Sequence, residues 1–264
     1  MQNVADLSGL KAWLSKRKHF ITNPDKARMA GLSFPKGVLL LGIPGTGKSL
    51  CAKAVAVEWN LPLLKMDPGS LYSKYIGETE KRFKRAMKIA EDMAPLILWV
   101  DEIEKAFAAG GNEDGGVSTR VLGTFLSWMQ DRAGDVFVVA TANDVTCLPP
   151  ELLRKGRFDE IFFVDLPDLE ARSAILQIHL KRRGHDPERF DVVQIAQAME
   201  GFSGAEIEQV VVSSLYTVLS DNQSLSTEFL IEEAGSTMPL SKTRAEHIEG
   251  LRQWAKDRTV LANE

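Results

Sequence analysis

The sequence predicts a doubly wound α/β domain built on a parallel five-stranded sheet, followed by a small helical domain. Three observations carry that fold class. Short, continuously apolar runs recur through the first two thirds of the chain. Stretches with helical periodicity separate them, and the strand signals stop after Leu166-Pro167-Asp168. Apolar runs that do not alternate with polar residues suit a parallel sheet covered on both faces. Right-handed crossovers between such strands wind helices onto both sides. The boundary falls between an α/β part, residues 1–167, and a helical part, 168–264. With 264 residues, 44% of them hydrophobic, the chain has material for one large domain or two smaller ones.

The elements follow in order. Strands are expected at Val38–Leu41, Leu61–Leu64, Leu96–Val100, Val136–Ala140 and Ile161–Val164. Between them, Phe83, Ala86, Met87, Ala90 and Met93 form one stripe of an amphipathic helix, and Val121, Leu122, Phe125 and Met129 form another. Beyond the boundary, Leu169, Leu176 and Leu180 mark a helix face. Ser203-Gly204-Ala205-Glu206 has capping-box spacing ahead of a helix carrying Ile207, Val211, Leu215 and Val218. Thr243–Glu246 has the same spacing before a last helix with Ala245, Ile248, Leu251 and Ala255. The glycine-rich stretch from Gly110 to Gly116 reads as a loop.

Composition narrows the function. A formal charge of −4 gives no bulk attraction to nucleic acid or anionic membrane, leaving only a local basic patch as a route to either. No run approaches the roughly 20 apolar residues that span a bilayer, and Met1-Gln2-Asn3 opens no signal peptide. A cytoplasmic protein is expected. Cys51 and Cys147 lack paired spacing and read as buried thiols in a reducing compartment. The four histidines lack metal-ligand spacing and are assigned to the surface or to local packing.

Chemistry concentrates in four segments. Gly42-Ile43-Pro44-Gly45-Thr46-Gly47-Lys48-Ser49 matches G-x-x-x-x-G-K-[ST] in full, between a predicted strand and a predicted helix. Its glycines let backbone N–H groups curl around phosphate oxygens at a helix N-terminus. Lys48 would neutralise β/γ-phosphate charge, and the Ser49 hydroxyl would bind Mg²⁺. Asp101 ends an apolar strand at the sheet edge where ligands bind and supplies a carboxylate for the metal. Glu102 beside it can polarise the attacking water. Asn143, after a further strand, offers an amide that either orients water or γ-phosphate or merely satisfies a turn. Arg154 and Arg157 flank a glycine and, on chemistry alone, read as charges that are solvated or paired to nearby acids.

These four elements in this order resemble the AAA+ superfamily of P-loop (ASCE) ATPases. "GIPGTGKS", "VDEIEKAF", "ATAND" and "LLRKGRFDEIFFVDLPD" look like the Walker A, Walker B, sensor 1 and arginine-finger segments of the AAA clade that includes katanin and spastin. Within that clade, "APLILWVDEIEKAF", "STRVLGTFLSWMQD" and "CLPPELLRKGRFDE" are most similar to the AAA proteins first named as a hypothetical chloroplast reading frame, which also occur in bacteria. The resemblance runs over nearly the whole chain.

It implies an ATPase using ATP and Mg²⁺, with Asn143 as sensor 1 and Arg154 and Arg157 reaching the γ-phosphate of a neighbouring subunit. A homo-oligomeric ring, usually a hexamer, follows from that. Asp6 and Gly9 belong to the strip flanking the adenine, and Pro44, Gly45, Thr46, Gly47 and Leu50 complete the P-loop contacts. Gly204 and Ala205 would line the nucleotide from the lid. No sensor-2 arginine stands at that helix start, which departs from clamp loaders and replication initiators. Lys74-Tyr75-Ile76-Gly77-Glu78 resembles a first pore loop, with Tyr75 and Ile76 gripping an extended polypeptide; a subunit-contact or core tyrosine is the alternative. Many relatives place a recruiting domain ahead of the ATPase module, and this chain begins almost at the module. Two functions stay open: a motor that remodels or threads a protein substrate, and a nucleotide-controlled assembly switch that recruits a partner without threading. The substrate or adaptor is unknown, nucleic acid is disfavoured, and the location would be the plastid stroma if the gene is plastid-encoded.

Overall fold

In a computed structural model, residues 7–71, 78–107 and 116–263 are described. The chain opens with α1 (Ser8–Thr22) and α2 (Pro24–Met29). The α/β part follows: β1 (Gly37–Gly42), α3 (Lys48–Trp59), β2 (Leu63–Met66), α4 (Pro68–Leu71), α5 (Glu78–Asp92), β3 (Leu96–Val100), α6 (Val117–Asp131), β4 (Val136–Ala142) and β5 (Glu160–Val164). The C-terminal part holds α7 (Leu169–Arg182), α8 (Val192–Ala198), α9 (Gly204–Ser220), α10 (Thr227–Ser236), α11 (Leu240–Thr243), α12 (Ala245–Ala255) and β6 (Val260–Leu261).

All the strands run parallel, in the order β2-β3-β4-β1-β5-β6. The continuous apolar runs have the cause inferred for them. Leu39, Leu41, Leu98 and Val138 face α5 and α6, packing on Phe83, Met87, Val121 and Phe125. The intervening Val38, Leu40, Ile97 and Val139 face α1 and α3, against Leu10, Leu14, Val55 and Trp59. The central strands β1, β3 and β4 therefore bury both their faces.

The structure corrects several details. The sheet has six strands rather than five, because the C-terminal Val260–Leu261 pairs with Phe162 and Phe163 of β5. Two exposed residues are too short a run to signal a strand. The second strand is displaced to Leu63–Met66. Thr243 caps nothing: it ends α11, and α12 starts behind Arg244 without a side-chain cap. Cys147 is exposed, its thiol donating to Asp144 Oδ2 at 3.5 Å. Cys51 is buried, which pushes its thiol up to about 12.

Helices α7 to α10 share a separate core around Leu176, Leu180, Ile195, Met199, Ile207, Val211 and Leu230. Helix α12 instead contributes Leu251 and Ala255 to the core beneath the sheet. After β6, Ala262 accepts from the Leu10 N–H at 3.2 Å and Asn263 from the Ser8 hydroxyl at 2.6 Å. The chain thus returns from the helical part to the sheet edge and to the start of α1. No helix among the described residues is long and apolar enough to cross a membrane.

Candidate active site

Strand β1 runs straight into the glycine-rich loop, and α3 begins at Lys48. Gly42 lies so close to β5 that a Cβ there would stand 2.1 Å from the Val164 carbonyl oxygen. Gly45 has φ +79° and faces Ser203 and Ala205 across the cleft. Only glycine meets both demands cheaply. Lys48 is 5% exposed, and its ammonium donates to the carbonyls of Gly42 and Ile43 at 2.8 and 2.7 Å. Burial pulls it down to about 7, against the opposing pull of Glu104, Glu102 and Asp101. The first turn of α3 directs its positive end into the same space.

The acids stand at the carboxyl edge of β3, beside Thr141 and Asn143 at the end of β4. Asp101 follows β3. Its Oδ1 accepts from the hydroxyls of Ser49 at 3.1 Å and Thr141 at 2.9 Å, and its Oδ2 pairs with Lys65 at 3.2 Å. Burial alone would raise its carboxyl, but hydrogen bonds from Thr141, Lys65 and Ser49 prevail and hold it below the usual carboxylate range. The Thr141 hydroxyl also accepts from the Glu102 N–H at 3.0 Å. Glu102 sits at φ +50°, a left-handed conformation that is rare away from glycine and strained. Its Oε1 accepts from the Asn143 amide at 3.0 Å, and its Oε2 pairs with Lys105. The Asn143 N–H in turn donates to Glu104 Oε1 at 2.9 Å.

The helical part closes this space from above. Ser203 and Glu206 form the expected capping box at the start of α9. The Ala205 N–H, one of the free donors of that first turn, donates to the Gly45 carbonyl at 3.0 Å. The result is a cleft of about 490 Å³ between loop and lid, within the size range of small-ligand sites. Pro44, Gly45, Thr46, Gly47, Lys48, Ser49 and Leu50 line it from below, Asp101, Glu102, Thr141 and Asn143 from the sheet edge, and Gly204 and Ala205 from the lid. A hard divalent cation fits the donor set, because a carboxylate, Asp101, and a hydroxyl, Ser49, converge there and the Lys65 ammonium already lies against Asp101.

Not every predicted residue reaches the cleft. Gly9 lies in the first turn of α1, outside the lining. Arg154 is exposed and Arg157 half-buried, both preceding β5 at the amino edge of the sheet. The Lys36 ammonium, just before β1, donates to the Gly156 carbonyl at 2.9 Å and fixes that placement. Asp6, Tyr75, Ile76 and residues 110–115 of the glycine-rich stretch lie outside the described residues.

Sequence reasoning missed Thr141 and the far end of the cleft, where Ile175, Ile178, His179, Arg182 and Glu208 lie. His179, assigned to the surface or to packing, lines that cleft with its side chain 12% exposed. Burial lowers its imidazole despite Glu208 nearby. Glu208 accepts from Arg183 at 2.8 Å, and that bond holds its carboxyl low. The lone hydroxyl in the apolar run of β4 was a readable signal for Thr141. Nothing local marks the residues of α7.

Residues 38–166 match the family model described as "ATPase family associated with various cellular activities (AAA)". An uncharacterized AAA domain-containing protein ycf46 of Gracilaria tenuistipitata var. liui is 45% identical over 255 residues, covering 96% of this chain and 52% of the relative. Its counterpart in Guillardia theta is 44% identical over 257 residues, covering 97% of this chain and 50% of the relative. A proteasome-activating nucleotidase of Methanosarcina mazei is 34% identical over 218 residues, 80% of this chain and 52% of the relative. The chain spans about half the length of these curated relatives.

Proposed function

The chain carries an AAA ATPase domain, and from that premise we propose that it hydrolyses Mg-ATP as a ring of identical subunits, most simply a hexamer, and spends the turnover on remodelling or threading a protein substrate. The observation that carries the hydrolytic reading is the convergence of Lys48, Ser49, Asp101, Glu102 and Asn143 on one cleft at the carboxyl edges of β1, β3 and β4. Phosphoryl transfer asks for little beyond positioning and charge stabilisation, and each residue has one such task.

The loop amides and Lys48 receive the β- and γ-phosphates. Lys48 needs only to swing from the Gly42 and Ile43 carbonyls to phosphate oxygens. Ser49 and Asp101 would hold Mg²⁺, which neutralises charge on the transferring phosphoryl group. Glu102 accepts a hydrogen bond from the attacking water, and Asn143 keeps that carboxylate aimed. Each Glu102 oxygen has one partner in the structure, Asn143 on Oε1 and Lys105 on Oε2, and a carboxylate keeps lone pairs for the attacking water besides these. The lid end, with Ile175, Ile178 and His179, offers apolar walls and one imidazole to a nucleoside.

The assembly reading is supported by the position of Arg154 and Arg157. The six residues of β1, at about 3.3 Å each, set the two edges of the sheet roughly 20 Å apart. These arginines stand at the edge opposite their own glycine-rich loop and serve the cleft of an adjacent subunit. A protein substrate is favoured by the similarity to a proteasome-activating nucleotidase, with Tyr75 and Ile76 as the gripping residues.

The active-site assignment is tested by two variants. Glu102→Gln keeps ATP binding and turns over very slowly, whereas Lys48→Ala loses binding as well. Equal loss of nucleotide affinity in both, by titration with a fluorescent ATP analogue, would overturn the division of labour.

A further inference from the structure

Glu104 lies one helical step behind the catalytic acids and does not line the cleft. Its side chain nonetheless carries a carboxyl group, in a residue only 8% exposed. Carboxylates are seldom buried this deeply unless paired, and no lysine or arginine bridges it among the described residues. Burial raises its carboxyl, against the hydrogen bonds from Asn143 and its own backbone. Oε1 accepts from the Asn143 N–H, while Oε2 is buried without a hydrogen-bond partner among the described residues. A group that costs this much to bury and is half satisfied calls for an explanation.

We propose that Glu104 is a positioning residue for hydrolysis, one that acts through Asn143 on the water-polarising Glu102. Two bonds in series make the link: Glu104 Oε1 to the Asn143 backbone, and the Asn143 amide to Glu102 Oε1. They span two different strand ends, the turn after β3 and the turn after β4. Glu102 stands in a left-handed conformation, and a strained residue persists only where its surroundings over-determine it. The Thr141 hydroxyl fixes its backbone, and the Asn143 amide fixes its carboxylate. Glu104 supplies the missing constraint, because without it nothing described holds the Asn143 backbone at this turn. The short turn Ile103–Ala106 fixes Glu104 relative to Glu102 along the chain. One turn therefore carries both the acid that meets water and the acid that steadies its partner.

This inference rests on the hydrolytic reading, and a wild-type protein without ATPase activity would refute that reading before any variant is made. Given turnover, the working variant is Glu104→Met, which keeps the buried volume and removes the acceptor. Nucleotide affinity, from a fluorescent ATP analogue, stays within about twofold of wild type, while kcat falls about 10–100-fold, the range seen when a group that orients a functional residue is removed. Glu104→Gln, whose amide oxygen can still accept from Asn143, recovers most of the rate. In a double-mutant cycle, Glu104→Met combined with Asn143→Ala is no slower than Asn143→Ala alone, because the two act in one chain. A merely structural carboxylate would lower thermal stability without that non-additivity. Should Glu104→Met fail to fold, Glu104→Ala takes its place in the cycle. Wild-type kcat in the non-accepting variant, multiplying losses in the double variant, or no rescue by glutamine would each overturn the proposal.

Discussion

Thr141 interrupts the apolar run of β4 with a hydroxyl, in a residue that is 2% exposed. That hydroxyl donates to Asp101 Oδ1 and accepts from the Glu102 N–H, so one small group ties both acids of β3 to the neighbouring strand. Valine has nearly the same shape but neither capacity. Thr141→Val leaves a part-buried N–H without its acceptor and a part-buried carboxylate short of one donor, and each such loss costs on the order of 1 kcal/mol. The expected result is an unfolding free energy lowered by that order, read as a lower urea midpoint with an unchanged m-value, together with slower ATP turnover. An unchanged midpoint would mean that water or a relaxed backbone replaces the hydroxyl at no cost. The same economy appears at the lid end of the cleft, where Arg183 contacts both His179 and Glu208.

At the scale of elements, α9 joins the two parts of the molecule. Its start is over-built. Ser203 accepts from the Glu206 N–H, Glu206 Oε2 accepts from the Ser203 N–H at 2.7 Å, and Glu206 Oε1 accepts from the Leu240 N–H at 2.7 Å. One capping box thereby positions the Ala205 N–H against the glycine-rich loop and ties α9 to α11. Ser203→Ala removes the cap and should cost about 1 kcal/mol, the usual value for such a substitution. Because the cap also aims the lid, ATP affinity should weaken with it. Denaturant unfolding and nucleotide titration read the two effects separately, and loss of neither would show that Glu206 alone sets the helix start. Thr243 shows the limit of the pattern: the same spacing occurs there, but Thr243 is the last residue of α11, and the N-cap position of α12 falls to Arg244.

At the scale of the whole molecule, each chain presents a cleft at one edge of its sheet and Arg154 and Arg157 at the other. An isolated chain thus holds only part of the proposed site. Arginine fingers supplied by a second protein are worth roughly 10³–10⁵ in rate in GTPases. A term of that kind makes specific ATPase activity rise with protein concentration as subunits assemble. Arg157→Ala should bind ATP normally and hydrolyse it poorly. Mixing it with Lys48→Ala should restore part of the rate, since one variant binds ATP and the other donates arginines. A rate that stays flat on dilution to monomer, with no recovery on mixing, would leave these arginines as surface charges.

The parallel α/β architecture, the glycine-rich loop and the two acids of β3 were legible in the sequence because each depends on short-range chemistry. A strand buried on both faces must be apolar throughout, a phosphate cradle needs glycines and a lysine at fixed spacing, and an acid at a strand end is placed by the strand itself. Other features depend on where distant segments meet. His179, Arg182 and Glu208 reach the cleft only because α7 and α9 pack side by side over it, and amphipathic spacing along α7 does not say which polar residue will face a ligand. The sixth strand consists of two residues that gain their ladder from β5, so its signal lies in the partner. Glu104 reads locally as one more acid in a charged turn. Only the fold buries it, and only the meeting of the turns after β3 and β4 places its oxygen on the Asn143 backbone.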